Sequence, residues 1–295
     1  MAQAWKCAGL RWSAQGPELM WDGGRRSPLS WGKQVSFGVV EGGVRECAGA
    51  RGHACPRRTV VPGRSAGGRC EECARLDRAH SVAADRVADD PRPYRVYLAW
   101  FGPGLVKVGI TARERGSTRL LEQGAVCFSW LGSGPLMAAR RTEELLRAAL
   151  RVPDRVPYAQ KRAVRATLPE AEEQRAGEIR QVYGRAVELG GWPESLERAP
   201  FRPVDHVGAF GLAGAPAALG EVGELIPGGA VSGELVAAAG PDLHLATGGG
   251  VVVLDTRLMR GWQLVPVEAG EADGRAAFPV RAFEVAEEHR QDELF

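Results

Sequence analysis

Long hydrophobic runs are missing from this 295-residue chain: no segment approaches the ~18 consecutive apolar residues that a membrane-crossing helix needs. The opening MAQAWKCAGLRWSAQ has no apolar core of signal-peptide length, so the expectation is a cytoplasmic protein with no membrane partner. Charge of one sign is also nearly missing. The 38 basic and 36 acidic residues leave a formal net charge of +2, too small to announce nucleic acid or a lipid surface by itself. Lysine is scarce, with four lysines against 34 arginines. Beside so much alanine, glycine and valine, that skew follows the codon usage of a GC-rich bacterial genome, so it is not read as a binding signal. No internal repeat of solenoid period occurs. No GK[ST] follows the Gly248-Gly249-Gly250 triplet, which reads as a hairpin turn rather than a phosphate loop.

What is present is globular in composition, 44% hydrophobic and 25% charged. The expected fold class is α+β in several units. Residues 1–46 hold half of the eight tryptophans and short alternating runs such as Val35, Phe37 and Val39, a small Trp-rich β unit. Residues 47–75 are rich in Cys, Gly and Arg and too poor in apolar residues to build a core without a staple. Residues 76–93 read as a short polar helix and linker. Residues 94–200 begin with a hairpin and continue with helices over about Ser117–Gly124, Pro135–Arg151 and Glu170–Leu189, each ended by glycine or proline. Residues 204–286 return to strand-like runs, consistent with a small barrel or sandwich. Residues 287–295 form a charged tail.

Four of the six cysteines fall in the core-poor segment as Cys47-x7-Cys55-x14-Cys70-x2-Cys73. Two residues between cysteines let both thiolates reach one tetrahedral ion, so the spacing points to structural zinc. His53, two residues before Cys55, is an alternate ligand that would give three cysteines and one histidine. A CxxC redox pair is the other option, but no thioredoxin-like βαβ surrounds it. Cys7 and Cys127 sit among apolar neighbours and read as packing residues. A four-ligand site is coordinatively closed, so it explains how this segment folds and not what the protein does.

The hairpin YRVYLAWFGPGLVKVGIT, residues 94–111, carries Tyr97 and Lys107 near the middles of its strands, where a purely structural hairpin would be apolar. Gly109 allows close backbone approach, Arg119 lies on the following short helix, and Glu143 falls at the edge of the apolar stripe of the next one. A carboxylate at the margin of a core face is costly unless something uses it. Together these residues resemble the GIY-YIG nuclease superfamily, nearest the branch whose second signature reads KIG. The resemblance covers about residues 94–150. It implies a three-stranded sheet with flanking helices, with Tyr97 activating water, Lys107 in place of the second tyrosine and Arg119 steadying the developing charge. It also implies Glu143 as the ligand of a catalytic Mg²⁺ or Mn²⁺. The chain departs from the pattern where GIY reads Arg95-Val96-Tyr97 and at Lys107. The whole arrangement also resembles an uncharacterised bacterial family of unknown function with a four-cysteine cluster.

The expected function is therefore nucleic-acid-acting, on DNA or RNA, through metal-dependent phosphodiester hydrolysis. Two other readings stay open: a module that binds nucleic acid without cutting it, and a protein adaptor. The arginines of residues 140–165 read as a solvated helical face that offers modest support for a polyanion.

Overall fold

A computed structural model describes residues 3–79, 90–268 and 275–283. Four strands open the chain: β1 (Trp5–Ser13), β2 (Gly16–Trp21), β3 (Arg26–Pro28) and β4 (Gln34–Val39). The cysteine segment follows and ends in α1 (Glu71–Ala79). The hairpin strands are β5 (Tyr94–Trp100) and β6 (Val106–Ala112), followed by α2 (Thr118–Gln123), β7 (Cys127–Gly134) and α3 (Leu136–Leu150). After these come α4 (Tyr158–Ala163), α5 (Glu172–Val187), β8 (Glu197–Arg198), β9 (Val204–Asp205) and α6 (Val207–Phe210). The last described strands are β10 (Gly220–Val222), β11 (Gly229–Ala239), β12 (Asp242–Thr247), β13 (Gly250–Asp255), β14 (Gln263–Pro266), β15 (Ala276–Ala277) and β16 (Val280–Ala282).

Two sheets organise these elements. The larger runs β16-β10-β13-β12-β11-β4-β14-β1-β2-β3, with β15 paired to β11. The strands assigned by sequence to two β units therefore hydrogen-bond into one: β4 lies between β11 and β14, with Phe37 opposite both Val231 and Pro266. A single apolar cluster joins Trp12, Val35 and Phe37 to Leu235, Leu245 and Leu264, which is why neither half needs a core of its own. Of the expected small barrel or sandwich, a closed barrel is not what forms. Among the described residues the sheet is open, with β3 and β16 at its ends. The Gly248-Gly249 turn joins β12 to β13 with Thr247 opposite Gly250, as a two-residue hairpin loop requires. Most of the 76–93 linker and the 287–295 tail lie outside the described residues, and α1 already covers Glu71–Ala79.

The smaller sheet is antiparallel, β6-β5-β7-β8, with β9 also on β7. Its two faces are buried differently. Val96, Leu98 and Trp100 pack with Leu136 and Leu146 of α3 and Ile179 of α5. Tyr97, Ala99 and Phe101 point the other way, against Leu120 of α2, Ala125 and Phe128. A sheet covered on both sides explains why β5 is buried along nearly its whole length instead of alternating.

Two glycines and a buried charge network join the two sheets. Gly124, which ends α2, and Gly240, in the β11–β12 turn, approach so closely that a Cβ on Gly240 would lie 3.0 Å from the Gly124 nitrogen. The Trp12 indole donates to the Gly240 carbonyl at 2.7 Å, closing the joint from the other side. Asp242, which begins β12, is fully buried and accepts from Arg162 of α4 at 2.6 Å and from Arg165 at 2.9 Å. Arg162 also reaches Asp255 and Glu221, each at 2.6 Å. Arg165 donates to His244 Nε2 at 3.1 Å, and burial pushes that imidazole down to about 3, so it is the neutral tautomer protonated on Nδ1. Burial alone would raise Asp242, but Arg165 and Arg162 outweigh it and hold the carboxyl below its ordinary range.

Removing a partner from a buried charge network strands the remaining charges. Asp242→Ala should therefore cost ~3–5 kcal/mol in denaturant titrations, whereas Glu144→Ala, in an exposed pair with Arg147, should stay within ~0.5 kcal/mol. Because the folded carboxyl is depressed, the Asp242 contribution is present above the ordinary carboxylate range and is lost as pH falls through its folded value. An Asp242→Ala protein as stable as wild type at pH 7 would remove this joint from the account.

Candidate active site and metal centre

The cysteine segment has almost no apolar core except its thiols. Cys47, Cys55 and Cys73 are buried with Val61, and Cys70 packs against them. The four sulfur atoms lie within 4.8 Å of one another, so the cluster could hold a metal ion such as zinc. His53 is exposed and pairs through its backbone with Ala50, outside this group. The histidine alternative is therefore set aside in favour of four cysteines. The donor set fits a tetrahedral thiophilic ion, because backbone N–H groups already point at the sulfurs. Cys47 Sγ accepts from Gly49 at 3.4 Å and from Cys70 at 3.1 Å. Backbone donors from Thr59, and then from Arg57, bring the Cys55 thiol down to about 6 despite its burial. Cys7 and Cys127 lie elsewhere and are buried among apolar residues.

The segment is anchored by Arg45. Its side chain is buried and donates to four backbone carbonyls: Arg260 at 2.8 Å, Pro62 at 2.7 Å, Gly63 at 3.0 Å and Arg257 at 3.0 Å. Only a planar fork with five donors can satisfy carbonyls on both sides of such a seam. Burial pushes Arg45 down to about 10, with Asp255 pulling the other way and Arg260 adding to the fall.

At the hairpin, Tyr97 stands opposite Gly109. A Cβ on Gly109 would lie 2.4 Å from the Tyr97 hydroxyl, so glycine leaves the room that the phenol occupies. The hydroxyl oxygen accepts from Gln123 Nε2 at 2.9 Å, and the ring meets Trp130 edge-on with centroids 6.2 Å apart. Tyr97 is only 1% exposed. Burial raises its pKa, Glu143 adds to the rise, and Gln123, Arg119 and Arg115 oppose it, so the phenol keeps its proton at neutral pH.

Lys107 lies 5.6 Å from the Tyr97 ring centroid and donates to the Asp154 carbonyl at 3.1 Å. Burial and then Arg119 bring it down to about 8, with Glu143 and Asp154 pulling the other way. Arg119 is partly exposed and faces Glu122 at 3.6 Å. Glu143 is half-buried and makes no hydrogen bond or ion pair among the described residues. Burial raises its carboxyl, Lys107 lowers it and Asp154 raises it again. Its neighbour Glu144 points to solvent and pairs with Arg147 at 3.0 Å. The fold thus places Tyr97 and Lys107 beside one another and each within electrostatic reach of both Arg119 and Glu143. A strap from residue 151 to 156 closes over them, Val108 donating to the Pro153 carbonyl at 3.0 Å and Val156 packing against the Tyr97 cluster.

Residues 32–264 match the model of a family described as a protein of unknown function (DUF2797). The chain belongs to that family. No curated protein and no solved structure matched. The matched span runs from just before β4 to β14, so the cysteine cluster, the hairpin and the central strands of the large sheet lie within the family unit.

Two residues important to this site were not singled out from the sequence. Gln123 is four residues after Arg119 and hence on the same helical face, a signal that was legible. The span 140–165, read from the sequence as a solvated helical face, also contains Lys161, and Lys161, Arg162 and Arg165 all turn inward. Lys161 donates to the Gln123 carbonyl at 2.9 Å and sits 3.9 Å from the Phe101 ring centroid, and burial brings it down to about 6. Only the acids of β12 and β13, distant in sequence, reveal that orientation.

The Gly109–Tyr97 contact is the testable core of this geometry. Gly109→Ala inserts a methyl against a buried, hydrogen-bonded phenol and should cost ~1–3 kcal/mol, with a changed near-ultraviolet tyrosine signal. Unaltered stability and spectrum would mean that Tyr97 moves aside freely.

Proposed function

We propose that this protein acts on nucleic acid and that its hairpin site hydrolyses phosphodiesters with a divalent metal held at Glu143. The observation that carries this reading is the convergence of Tyr97, Lys107, Arg119 and Glu143 from two strands and two helices. Glu143 suits a cation because it is a half-buried carboxylate with no hydrogen bond or ion pair among the described residues, only the longer-range attraction of Lys107. When bound, Mg²⁺ or Mn²⁺ supplies a Lewis acid for the leaving oxygen. The chain's own residues supply the rest. Arg119 presents a planar cation to the phosphoryl oxygens. Lys107 holds positive charge beside the phenol, and Gln123 fixes the phenol oxygen as an acceptor, which favours its deprotonation when water enters.

A second reading rests on the enclosure of Tyr97. A base at 1% exposure has no water to activate until the strap or α2 opens. On that reading the hairpin keeps the frame and binds nucleic acid without cutting, through exposed arginines such as Arg141, Arg151 and Arg155.

Cleavage assays on single-stranded, duplex and branched DNA and RNA with Mg²⁺ or Mn²⁺ separate the two. Glu143→Gln should abolish turnover with little loss of stability, and Arg119→Lys should be poorly tolerated. Tyr97→Phe should abolish turnover and cost ~1–2 kcal/mol, because Gln123 loses its acceptor. Glu144→Gln should be near neutral. No cleavage of any substrate, alongside binding that weakens steeply with salt, would replace hydrolysis with the binding module.

The cysteine cluster carries a narrower proposal, one structural zinc per chain. Elemental analysis of protein purified without added metal should find it, and Cys73→Ser should lose both the metal and much of the stability, while Cys7→Ser keeps the metal. Metal-free protein that remains fully folded would overturn it.

A further inference from the structure

A pocket lies away from the hairpin site, where three distant parts of the chain meet. It encloses about 330 Å³ between the cysteine segment, α4 and the edge of the large sheet. Arg64 comes from the first, Tyr158 and Arg162 from the second, and Glu221, Arg257 and Arg281 from the third. That volume is within the range of small-molecule sites.

The charges of this lining do not cancel. Asp255 also borders the pocket, but its oxygens are already in use. Oδ1 accepts from the Arg257 backbone at 3.0 Å and from its Nε at 2.9 Å, and Oδ2 accepts from Arg162 at 2.6 Å. Glu221 Oε2 likewise accepts from Arg162 at 2.6 Å. Among the described residues its Oε1 has only Arg281 beside it, at 3.8 Å, beyond hydrogen-bond distance. Arg281 is 72% exposed in its side chain, and Arg64, also exposed, has no ion pair among the described residues. Four arginines thus line the pocket beside two carboxylates: Asp255 is paired with Arg162 and Arg257, and Glu221 with Arg162, which also serves Asp242. Arg64 and Arg281 remain at the mouth with donors to spare, next to one carboxylate oxygen with acceptor capacity to spare.

From this we infer that the pocket binds a phosphate ester of a polyol, of sugar-phosphate or nucleotide size. Convergent guanidinium groups match the several acceptor oxygens of a phosphate better than the two of a carboxylate. Glu221 Oε1 accepts from a hydroxyl of the same ligand, which distinguishes an ester from the bare anion. Tyr158 forms the wall and does not stack with the ligand, because Arg257 already lies 4.1 Å from its ring centroid and Lys161 4.3 Å.

Titration calorimetry on the full chain at 150 mM salt tests this with inorganic sulfate, inorganic phosphate, ribose 5-phosphate and ADP. Ribose 5-phosphate or ADP should bind at least tenfold more tightly than sulfate or phosphate. Arg64→Glu with Arg281→Glu, both exposed and safe for folding, should weaken that binding at least tenfold. Glu221→Gln should reduce the preference for the esters over phosphate. Glu143→Gln should leave all affinities unchanged, so a failed nuclease assay does not bear on this site. Equal affinity for sulfate and the esters, or an unaffected double charge-reversal variant, would overturn the inference. So would nucleic acid binding tighter than either ester through the same two arginines.

Discussion

The fully buried carboxylate of Asp242 is the constraint on which the arrangement of this protein depends. A charge in that position is tolerable only if cations reach it, and Arg162 and Arg165 come from the segment between α3 and α5, inside the stretch that builds the smaller sheet. Meeting that demand docks α4 onto β12 and β13 and turns Lys161 inward over Phe101. It also brings Tyr158 against Arg257. The strap between α3 and α4 is consequently held at both ends, by the packing of α3 on the hairpin and by these ion pairs. Lys107 and Val108 then hydrogen-bond to its carbonyls. Closure of the hairpin site is thus a consequence of electrostatics that originate in the other sheet.

Much of the local structure was legible because local rules decide it. The helices expected over 117–124, 135–151 and 170–189 correspond to α2, α3 and α5, each ending where a glycine or the chain's turn toward proline demands. The CxxC pair and its two outlying partners were legible because a segment with so few apolar residues has little else to fold around. The large sheet was not. The pairing of β4 with β11 and β14 joins residues about two hundred positions apart, and strand periodicity reports which face is buried without naming the partner. The inward turn of Arg162 and Arg165 was hidden for the same reason, since a helical charge run looks solvated until its distant acids are known.

The placement of Glu143 illustrates how a one-residue difference is read. Leu146 sets the buried line of α3, and Glu143, one turn earlier, follows it into partial burial, while Glu144 turns out to Arg147. A half-buried carboxylate without a partner costs stability unless a cation completes it. Lys107 supplies only a diffuse attraction, because its ammonium is committed to the Asp154 carbonyl. The site therefore contains one negative group in need of a cation, beside two positive groups, Lys107 and Arg119, that together suit a polyanion. That complementarity gives the hairpin a chemical direction even while its phenol is enclosed.

The cysteine segment is joined to this arrangement through backbone, not through a core. Arg45 spans from Pro62 and Gly63 in that segment to Arg257 and Arg260 after β13, so the loop carrying Arg257 is fixed from below by Arg45 and from above by Asp255. The same loop forms part of the arginine-lined pocket, and another of its lining residues, Arg64, lies between Cys55 and Cys70 in the chain. The cysteine segment therefore supplies part of that pocket's lining, Arg64 and Ala66. If a metal closes the cluster, its binding free energy orders Arg64 and Arg45 together. The pocket's affinity for anions would then depend on the four thiols, although none of them lines it.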